Sequence, residues 1–264
     1  MPAQIRLVSV TLRSSTVSTT LLVVVPWCSG LLSRRPDKLL TLFFRTMYRL
    51  EMRKCKATVY KLIYFDVRNL AECARLMLAC SGTKYEDVRI TMGEWSELKA
   101  GTPFGVLPIL EVNGTPISES QAINRYLAGM LGFGGHNNFE NAQLDELADY
   151  YKDFRAAVRP YFYVAGGIRK ADGDLEEIRK TVLLPAAKQY FPKFCDRLKE
   201  SKSGFFFNFG VSWVDFDIAD HLMSLLGFDE NLLDVYPEME RLVSSVRKIP
   251  TLKGYFENRP VRPI

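Results

Sequence analysis

Apolar and polar positions alternate with segment-specific periods in the first half of the chain. Residues 58–65 (TVYKLIYF) are β-branched and aromatic, which predicts a strand. In 70–82 (LAECARLMLACSG) apolar residues recur every three or four positions, which predicts an amphipathic helix ending at Gly82. A second strand is predicted at Tyr85–Ile90. Strand, helix and strand joined by short links indicate a right-handed parallel crossover.

The stretch GTPFGVLPILEV (101–112) places turn residues and Pro108 at the entry of a predicted strand, Pro108–Val112. Proline cannot donate to a sheet ladder, so it belongs at a strand's first residue, an edge or a bulge. A cis Leu107–Pro108 bond would turn the N–H and C=O of Leu107 outward, where an extended peptide-like ligand can add to them. Asn113-Gly114 predicts a hairpin turn into a strand at Thr115–Ser118.

After Ser120 an apolar-periodic helix is predicted at Gln121–Leu131, and its N-terminus would favour a carboxylate. The order β-α-β, irregular, β-β-α predicts a thioredoxin-like domain over residues 57–134, with a mixed four-stranded sheet and helices on both faces. Because a thioredoxin-like sheet offers a ligand site of the kind described above, we expect the Leu107–Pro108 bond to be cis.

A glycine-rich linker follows at 132–138. No strand pattern survives beyond it, so residues 139–264 are predicted to form an all-helical second domain. Its helices are expected at Phe139–Gly166, Asp174–Lys199, Ser212–Leu226, Pro237–Ile249 and Leu252–Glu257. The fold class is therefore α/β plus all-α.

Polar motifs in the second half have structural interpretations. SWVDFDIAD predicts a capping box formed by Ser212 and Asp215, which stabilises a core helix. His221 follows Asp217 by one helical turn, and we expect the two to form a structural pair. The five cysteines are odd in number and lack C-x-x-C spacing, and there are only two histidines, so neither a disulfide framework nor a metal site is expected.

Charge is distributed unevenly along the chain. The formal net charge is +5, but residues 1–56 carry ten Lys/Arg against two acids, so the body is slightly acidic. We therefore expect no nucleic-acid partner, and the body shows no membrane-spanning pattern. Residues 1–56 are left out of the predicted fold. They fit three interpretations, namely a signal or membrane anchor through residues 1–33, an organellar presequence, or an extension without a role in the fold.

Three segments resemble the glutathione-binding domain of sigma-class glutathione transferases, in a nematode-like version related to the prostaglandin-D-synthase branch. They are YKLIYFDVRNLAE, EDVRITMGEWSELKAGTPFGVLPILEVNG and SESQAINRYLA. The similarity covers about residues 57–264, including the closing ENRPVRPI. It implies the glutathione transferase fold, glutathione as co-substrate, no metal and a homodimer. The cysteine usage indicates a reduced, intracellular body, so a cytoplasmic location is expected, with secretion or anchoring through residues 1–33 as the alternative.

The resemblance also implies roles for individual residues. Tyr64 matches the catalytic tyrosine, whose hydroxyl would favour the glutathione thiolate. Tyr60 lies on the same strand face, and only the resemblance selects Tyr64. The other matched glutathione-binding positions are Trp95 and Lys99 for the glycyl end, Val106, Leu107 and Pro108 for the backbone clamp, Glu119 and Ser120 for the γ-glutamyl end, and Asp153 reaching across a dimer interface. The hydrophobic electrophile would contact Phe65, Tyr161 and Tyr163, of which the two tyrosines could equally be core residues.

Departures from the family pattern limit the functional assignment. Where many relatives have a second arginine near the sulfur, this chain has Leu70, which puts prostaglandin isomerase activity in doubt without affecting simple conjugation. Conjugation of glutathione to hydrophobic electrophiles is the leading hypothesis. A glutathione-dependent prostaglandin D isomerase or lipid peroxidase and a non-catalytic, crystallin-like or ligand-binding relative remain alternatives. The sequence does not name the electrophile.

Overall fold

The computed structural model describes residues 5–13, 18–26, 58–170, 174–262 and 264. The chain divides into two compact units, residues 1–57 and 58–264. Within the described residues, no helix has the length and apolar character needed to cross a bilayer.

The first unit contains a β-hairpin that the sequence analysis did not predict. Strand β1 (Ile5–Arg13) pairs antiparallel with β2 (Ser18–Pro26), from Ile5 opposite Pro26 to Arg13 opposite Ser18. The other residues of 1–56 lie outside the described part of the chain. The hairpin does not discriminate between a signal, a presequence and an extension, so all three stay predictions.

The second unit begins with a mixed four-stranded sheet, as predicted. Its strands are β3 (Tyr60–Phe65), β4 (Tyr85–Ile90), β5 (Ile109–Val112) and β6 (Thr115–Ser118). They are arranged in the order β4-β3-β5-β6. Strand β3 runs parallel to β4 and antiparallel to β5, and β5 and β6 form the predicted hairpin. At its turn, Asn113 and Gly114 have φ values of 51° and 83°, which suit a two-residue type I′ hairpin.

Three helices accompany the sheet. They are α1 (Asn69–Cys80), α2 (Met92–Leu98) and α3 (Ser120–Leu131), and α1 packs against α3. The sequence analysis treated the region of α2 as irregular because the helix buries none of its residues and so shows no apolar period. The sequence nonetheless contains a signal for the N-terminus of this helix. Thr91 and Glu94 form a reciprocal capping box, in which the Glu94 carboxylate accepts from the Thr91 N–H at 2.7 Å.

The remaining chain is helical, as predicted. The helices are α4 (Asn138–Ala165), α5 (Leu175–Ile178), α6 (Leu184–Glu200), α7 (Trp213–Phe228), α8 (Pro237–Arg247) and α9 (Lys253–Asn258). The single helix predicted at Asp174–Lys199 is divided by a π-helical turn at Arg179–Leu183. Pro185 follows this turn, and because it has no N–H it cannot complete the regular hydrogen-bond ladder there.

Helix α7 forms the centre of the helical half and joins it to the sheet. Every residue from Trp213 to Leu225 is buried. The predicted capping box at its start is confirmed, with the Asp215 carboxylate accepting from the N–H and hydroxyl of Ser212 at 2.8 and 2.6 Å. Helix α7 contacts α1, where the Cys73 thiol donates to the carbonyl of Trp213 at 3.3 Å.

The predicted pairing of His221 with Asp217 is wrong. Asp217 pairs with Arg155 of α4 at 2.8 Å, and His221 Nδ1 lies 2.9 Å from the hydroxyl of Tyr151. Both partners come from α4, about 60 to 70 residues earlier, so helical spacing could not reveal them. Burial and nearby arginines hold the pKa of His221 well below its usual value, which keeps the ring neutral. Its role is structural, as expected.

Candidate active site

Tyr64 lies near the end of β3, on the face that strand alternation buries. Its side chain is 5% exposed, and burial raises its pKa to about 12. The backbone N–H of Leu70 partly offsets this rise of the Tyr64 pKa, and Tyr163 of α4 adds to it. The phenol is therefore protonated throughout the physiological pH range and can donate a hydrogen bond.

Tyr60 lies on the same face of β3, four residues earlier, and is 4% exposed. Burial raises its pKa, Tyr126 raises it further, and Thr58 lowers it. The pKa of Tyr64 responds instead to Leu70 and Tyr163. The two tyrosines, which the residue pattern alone left equivalent, therefore have different surroundings.

Three strand ends meet at the edge of the sheet that carries Tyr64. The antiparallel register that pairs Ile63 with Ile109 places Pro108 beside Tyr64, and Ile109 also pairs with Ser118 at the end of β6. The Leu107–Pro108 bond is cis, as predicted. Pro108 is buried, whereas Val106 and Leu107 are half-buried.

Glu119 follows β6 directly and precedes the first residue of α3, Ser120. Its φ of 72° is a left-handed value for a residue with a side chain, and the side chain is exposed. Such a conformation costs about 1–3 kcal/mol and is found where the surroundings enforce it, often at functional sites. No side chain among the described residues caps the N-terminus of α3. Its first N–H groups are therefore available to an anionic ligand group at this edge.

Trp95 and Lys99 come from α2 and the turn after it. Trp95 is half-buried, and its ring meets that of Phe65 edge to face, with centroids 6.3 Å apart. Lys99 is exposed, and its stem runs beside Gly105, where an added Cβ would lie 3.6 Å from the Lys99 Cε. Gly105 has φ 62°, which favours glycine. The stem of Lys99 therefore lies along the loop that leads to Pro108.

The three predicted residues of α4 have different surroundings. Tyr163 is half-buried and contributes to the raised pKa of Tyr64, as described above. Tyr161 is 1% exposed and belongs to the core, so its side chain is closed to a ligand in this structure. Asp153 is exposed on the helix surface.

Sequence reasoning missed one feature of this site, the left-handed backbone of Glu119. Glutamate does not favour a positive φ, so no residue pattern indicates this conformation. Across the described ranges, no three His, Cys, Asp or Glu residues form a group that could hold a metal ion.

Together, the fold and site define a thioredoxin-like domain with a tyrosine, a cis-proline and a helix N-terminus at one sheet edge, followed by a helical domain. Residues 60–129 match the family model described as "Glutathione S-transferase, N-terminal domain", and residues 152–259 match "Glutathione S-transferase, C-terminal domain". The "Probable glutathione S-transferase 9" of Caenorhabditis elegans is 39% identical over 202 residues, which cover 76% of this chain and 97% of the relative. The chain belongs to the glutathione S-transferase family.

Several solved structures of glutathione S-transferases and related enzymes are similar to this chain in sequence and fold. A glutathione S-transferase of the hookworm Necator americanus, described as monomeric, is 38% identical with a TM-score of 0.74 and covers 78% of this chain and 99% of its own. A "Nu-class" enzyme of Haemonchus contortus is 38% identical with a TM-score of 0.72, covering 78% and 100%. "Prostaglandin synthase D" of Nilaparvata lugens is 32% identical with a TM-score of 0.68, covering 77% and 100%.

Proposed function

We propose that the protein is an enzyme that transfers glutathione to hydrophobic electrophiles, with Tyr64 as the catalytic residue. The observation that carries the proposal is a buried, protonated phenol beside the cis-proline edge. The Tyr64 hydroxyl donates to the glutathione sulfur and stabilises the thiolate. A free thiol has a pKa of about 8.5 and is only a few per cent ionised at pH 7. The thiolate attacks carbon, a C–S bond forms, and the leaving group departs with its electron pair or the electrons shift into a conjugated system.

Glutathione would lie along the sheet edge. The N–H and C=O of Leu107 pair with its cysteinyl backbone, in the manner of an added strand, with Val106 and Pro108 shaping the edge. At the γ-glutamyl end, Ser120 and the free amides of α3 bind the α-carboxylate, and Glu119 pairs with the ammonium group.

The glycyl end would lie towards α2. Lys99 pairs with its carboxylate and Trp95 packs against it, which the proximity of Lys99 to the Pro108 loop supports. The electrophile would lie near Phe65 and Tyr163, both close to Tyr64. Tyr161 is the weakest of the proposed contacts because it is buried.

We propose a homodimer as the functional form. Phe104 is 73% exposed in the loop before Leu107, and burying its ring against a partner would stabilise a dimer. Asp153 would then reach the glutathione ammonium group of the neighbouring subunit. The hookworm relative described as monomeric makes this a proposal that needs a direct test.

Within the family, we propose an enzyme of the sigma or Nu type, in which simple conjugation is the main reaction. Leu70 at the position of a second arginine weighs against prostaglandin isomerisation. Three free cysteines in the described part of the chain support a reducing compartment and a cytoplasmic location.

The test is conjugation of glutathione to a generic aromatic electrophile by the full chain and by its Tyr64→Phe variant. We expect wild-type turnover well above buffer, and a variant that still binds glutathione but conjugates it about 10- to 100-fold more slowly. No turnover by wild type, with glutathione bound, would favour the non-catalytic relative instead.

A further inference from the structure

The segment that follows α9 returns to the loop between β3 and α1, directly after Tyr64. The N–H of Arg68 donates to the carbonyl of Ile264 at 2.8 Å, and Arg262 Nη2 lies 2.6 Å from Asp66 Oδ2. Asp66 also pairs with Arg89 of β4 at 2.9 Å. The loop is thus held from one side by the sheet and from the other by the end of the described chain.

The side chain of Ile264 contacts a different part of the molecule. It is 4% exposed, and a Cβ added to Gly166 would lie only 2.9 Å from its Cγ2 and 3.5 Å from the ring of Phe228. Gly166 ends α4, three residues after Tyr163. The carbonyl oxygen of Phe162 would lie 3.0 Å from the same Cβ. The φ of Gly166, −79°, is ordinary, so crowding by Ile264 and the Phe162 carbonyl, and not the backbone conformation, leaves little room for a side chain.

One residue therefore connects the two segments between which the electrophile is proposed to lie. The loop begins directly after Tyr64 and Phe65, whose rings lie 5.7 Å apart between centroids. The end of α4 carries Tyr163, which contributes to the raised pKa of Tyr64. A shift of the loop relative to α4 would change the space beside Tyr64.

We propose that Ile264 is a positioning residue for the transfer reaction, because its carbonyl fixes the β3–α1 loop while its side chain fixes that loop against the C-terminal end of α4. The proposal rests on the proposed function for its effect on turnover, and on the contacts alone for its effect on the loop. Apart from Tyr64 and Asp153, the proposed glutathione contacts lie on α2, the Pro108 loop and α3, which are not among the elements that Ile264 joins. Its loss should therefore affect the chemical step and the electrophile more than glutathione binding.

The test uses Ile264→Ala in the full chain, with Val261→Ala as the matched control because Val261 is 94% exposed in the same segment. Displacements of about 1 Å in an active site can lower rates by up to roughly 100-fold. We expect kcat/KM for the electrophile to fall about 10-fold or more in Ile264→Ala, with KM for glutathione within about twofold of wild type. Hydrogen exchange at the Arg68 amide should accelerate in the same variant. Val261→Ala should match wild type in all three measurements.

Gly166→Ala provides an independent variant because its added methyl group would lie 2.9 Å from Ile264 Cγ2, and 3.0 Å from the carbonyl oxygen of Phe162. It should reproduce the loss of kcat/KM, and its effect should be smaller in the Ile264→Ala background than in wild type. Unchanged Arg68 exchange and unchanged kinetics in Ile264→Ala would overturn the proposal. An equal rise in the glutathione KM would overturn it too, since that indicates a general loss of structure. If wild type itself does not conjugate glutathione, the proposed function fails, and the exchange measurement still decides whether Ile264 holds the loop.

Discussion

Replacing Glu119 by glycine should raise the stability of the protein while weakening its affinity for glutathione. Glu119 has φ 72° and ψ 114°, a backbone conformation that costs a residue with a Cβ about 1–3 kcal/mol. Glycine tolerates positive φ but loses about 0.5–1 kcal/mol more conformational entropy on folding. The expected net gain is about 1 kcal/mol in the free energy of unfolding, or roughly 2–4 °C in Tm for a domain of this size.

The expected effect on glutathione affinity comes from the negative charge of Glu119. It can be measured separately from the effect of its strained backbone on stability. Glu119 is exposed, so its ion pair with the glutathione ammonium group contributes at most about 1 kcal/mol, and its loss weakens binding roughly two- to fivefold. Glu119→Gln removes the charge and keeps the strained backbone. It should therefore show the same loss of affinity with no gain in stability.

Urea unfolding and glutathione titration by calorimetry measure the two effects on the same samples. Glu97→Gly is the matched control, because Glu97 is an exposed residue inside α2, where glycine should destabilise by up to about 1 kcal/mol. If Glu119→Gly is destabilised as much as Glu97→Gly, the positive φ stores no strain. If both Glu119 variants bind glutathione like wild type, Glu119 has no part in the site.

Three further changes test separate parts of the account. Lys99→Met should raise the glutathione Kd roughly fivefold at low salt and less at high salt, whereas Lys253→Met should leave it unchanged; equal effects would exclude Lys99 from the site. Phe104→Ser should weaken a homodimer by about 10-fold or more in analytical ultracentrifugation, and a monomeric wild type would refute the dimer. Asp215→Ala should lower the free energy of unfolding by about 2–4 kcal/mol, because Phe206 and Ser212 lose their acceptor; a change below 1 kcal/mol would contradict the capping-box account.

Local patterns were enough to predict most of the sheet region. The β-branched and aromatic run at 58–65, the Asn113-Gly114 turn and the proline at the entry of β5 each favour a backbone conformation through residue chemistry alone. The cis bond at Pro108 was expected from the thioredoxin-like arrangement of the elements, and not from residue chemistry alone. Helix α2 was not predicted because a helix of seven residues with none buried shows no apolar period. Its capping box is the one local sequence signal that indicates it.

Features that depend on distant partners could not be predicted. His221 bonds Tyr151, 70 residues earlier, and no local spacing indicates that pairing. Tyr161 and Tyr163 were considered together as electrophile contacts, yet residues two apart on a helix point roughly 200° away from each other. The structure accordingly buries Tyr161 and leaves Tyr163 near Tyr64. The contact between Ile264 and the loop after β3 likewise joins the two ends of the folded unit.

The central claim is that Tyr64 stabilises the thiolate of bound glutathione. The most direct measurement is the pH titration of that thiolate by its ultraviolet absorbance, in wild type, Tyr64→Phe and Tyr60→Phe. Because a hydrogen bond to a charged group contributes about 1.5–3 kcal/mol, the thiol pKa should lie below about 8.5 in wild type and rise by about 1–2 units in Tyr64→Phe. Tyr60→Phe should titrate like wild type. A Tyr64→Phe protein that binds glutathione with an unchanged thiol pKa would contradict the claim.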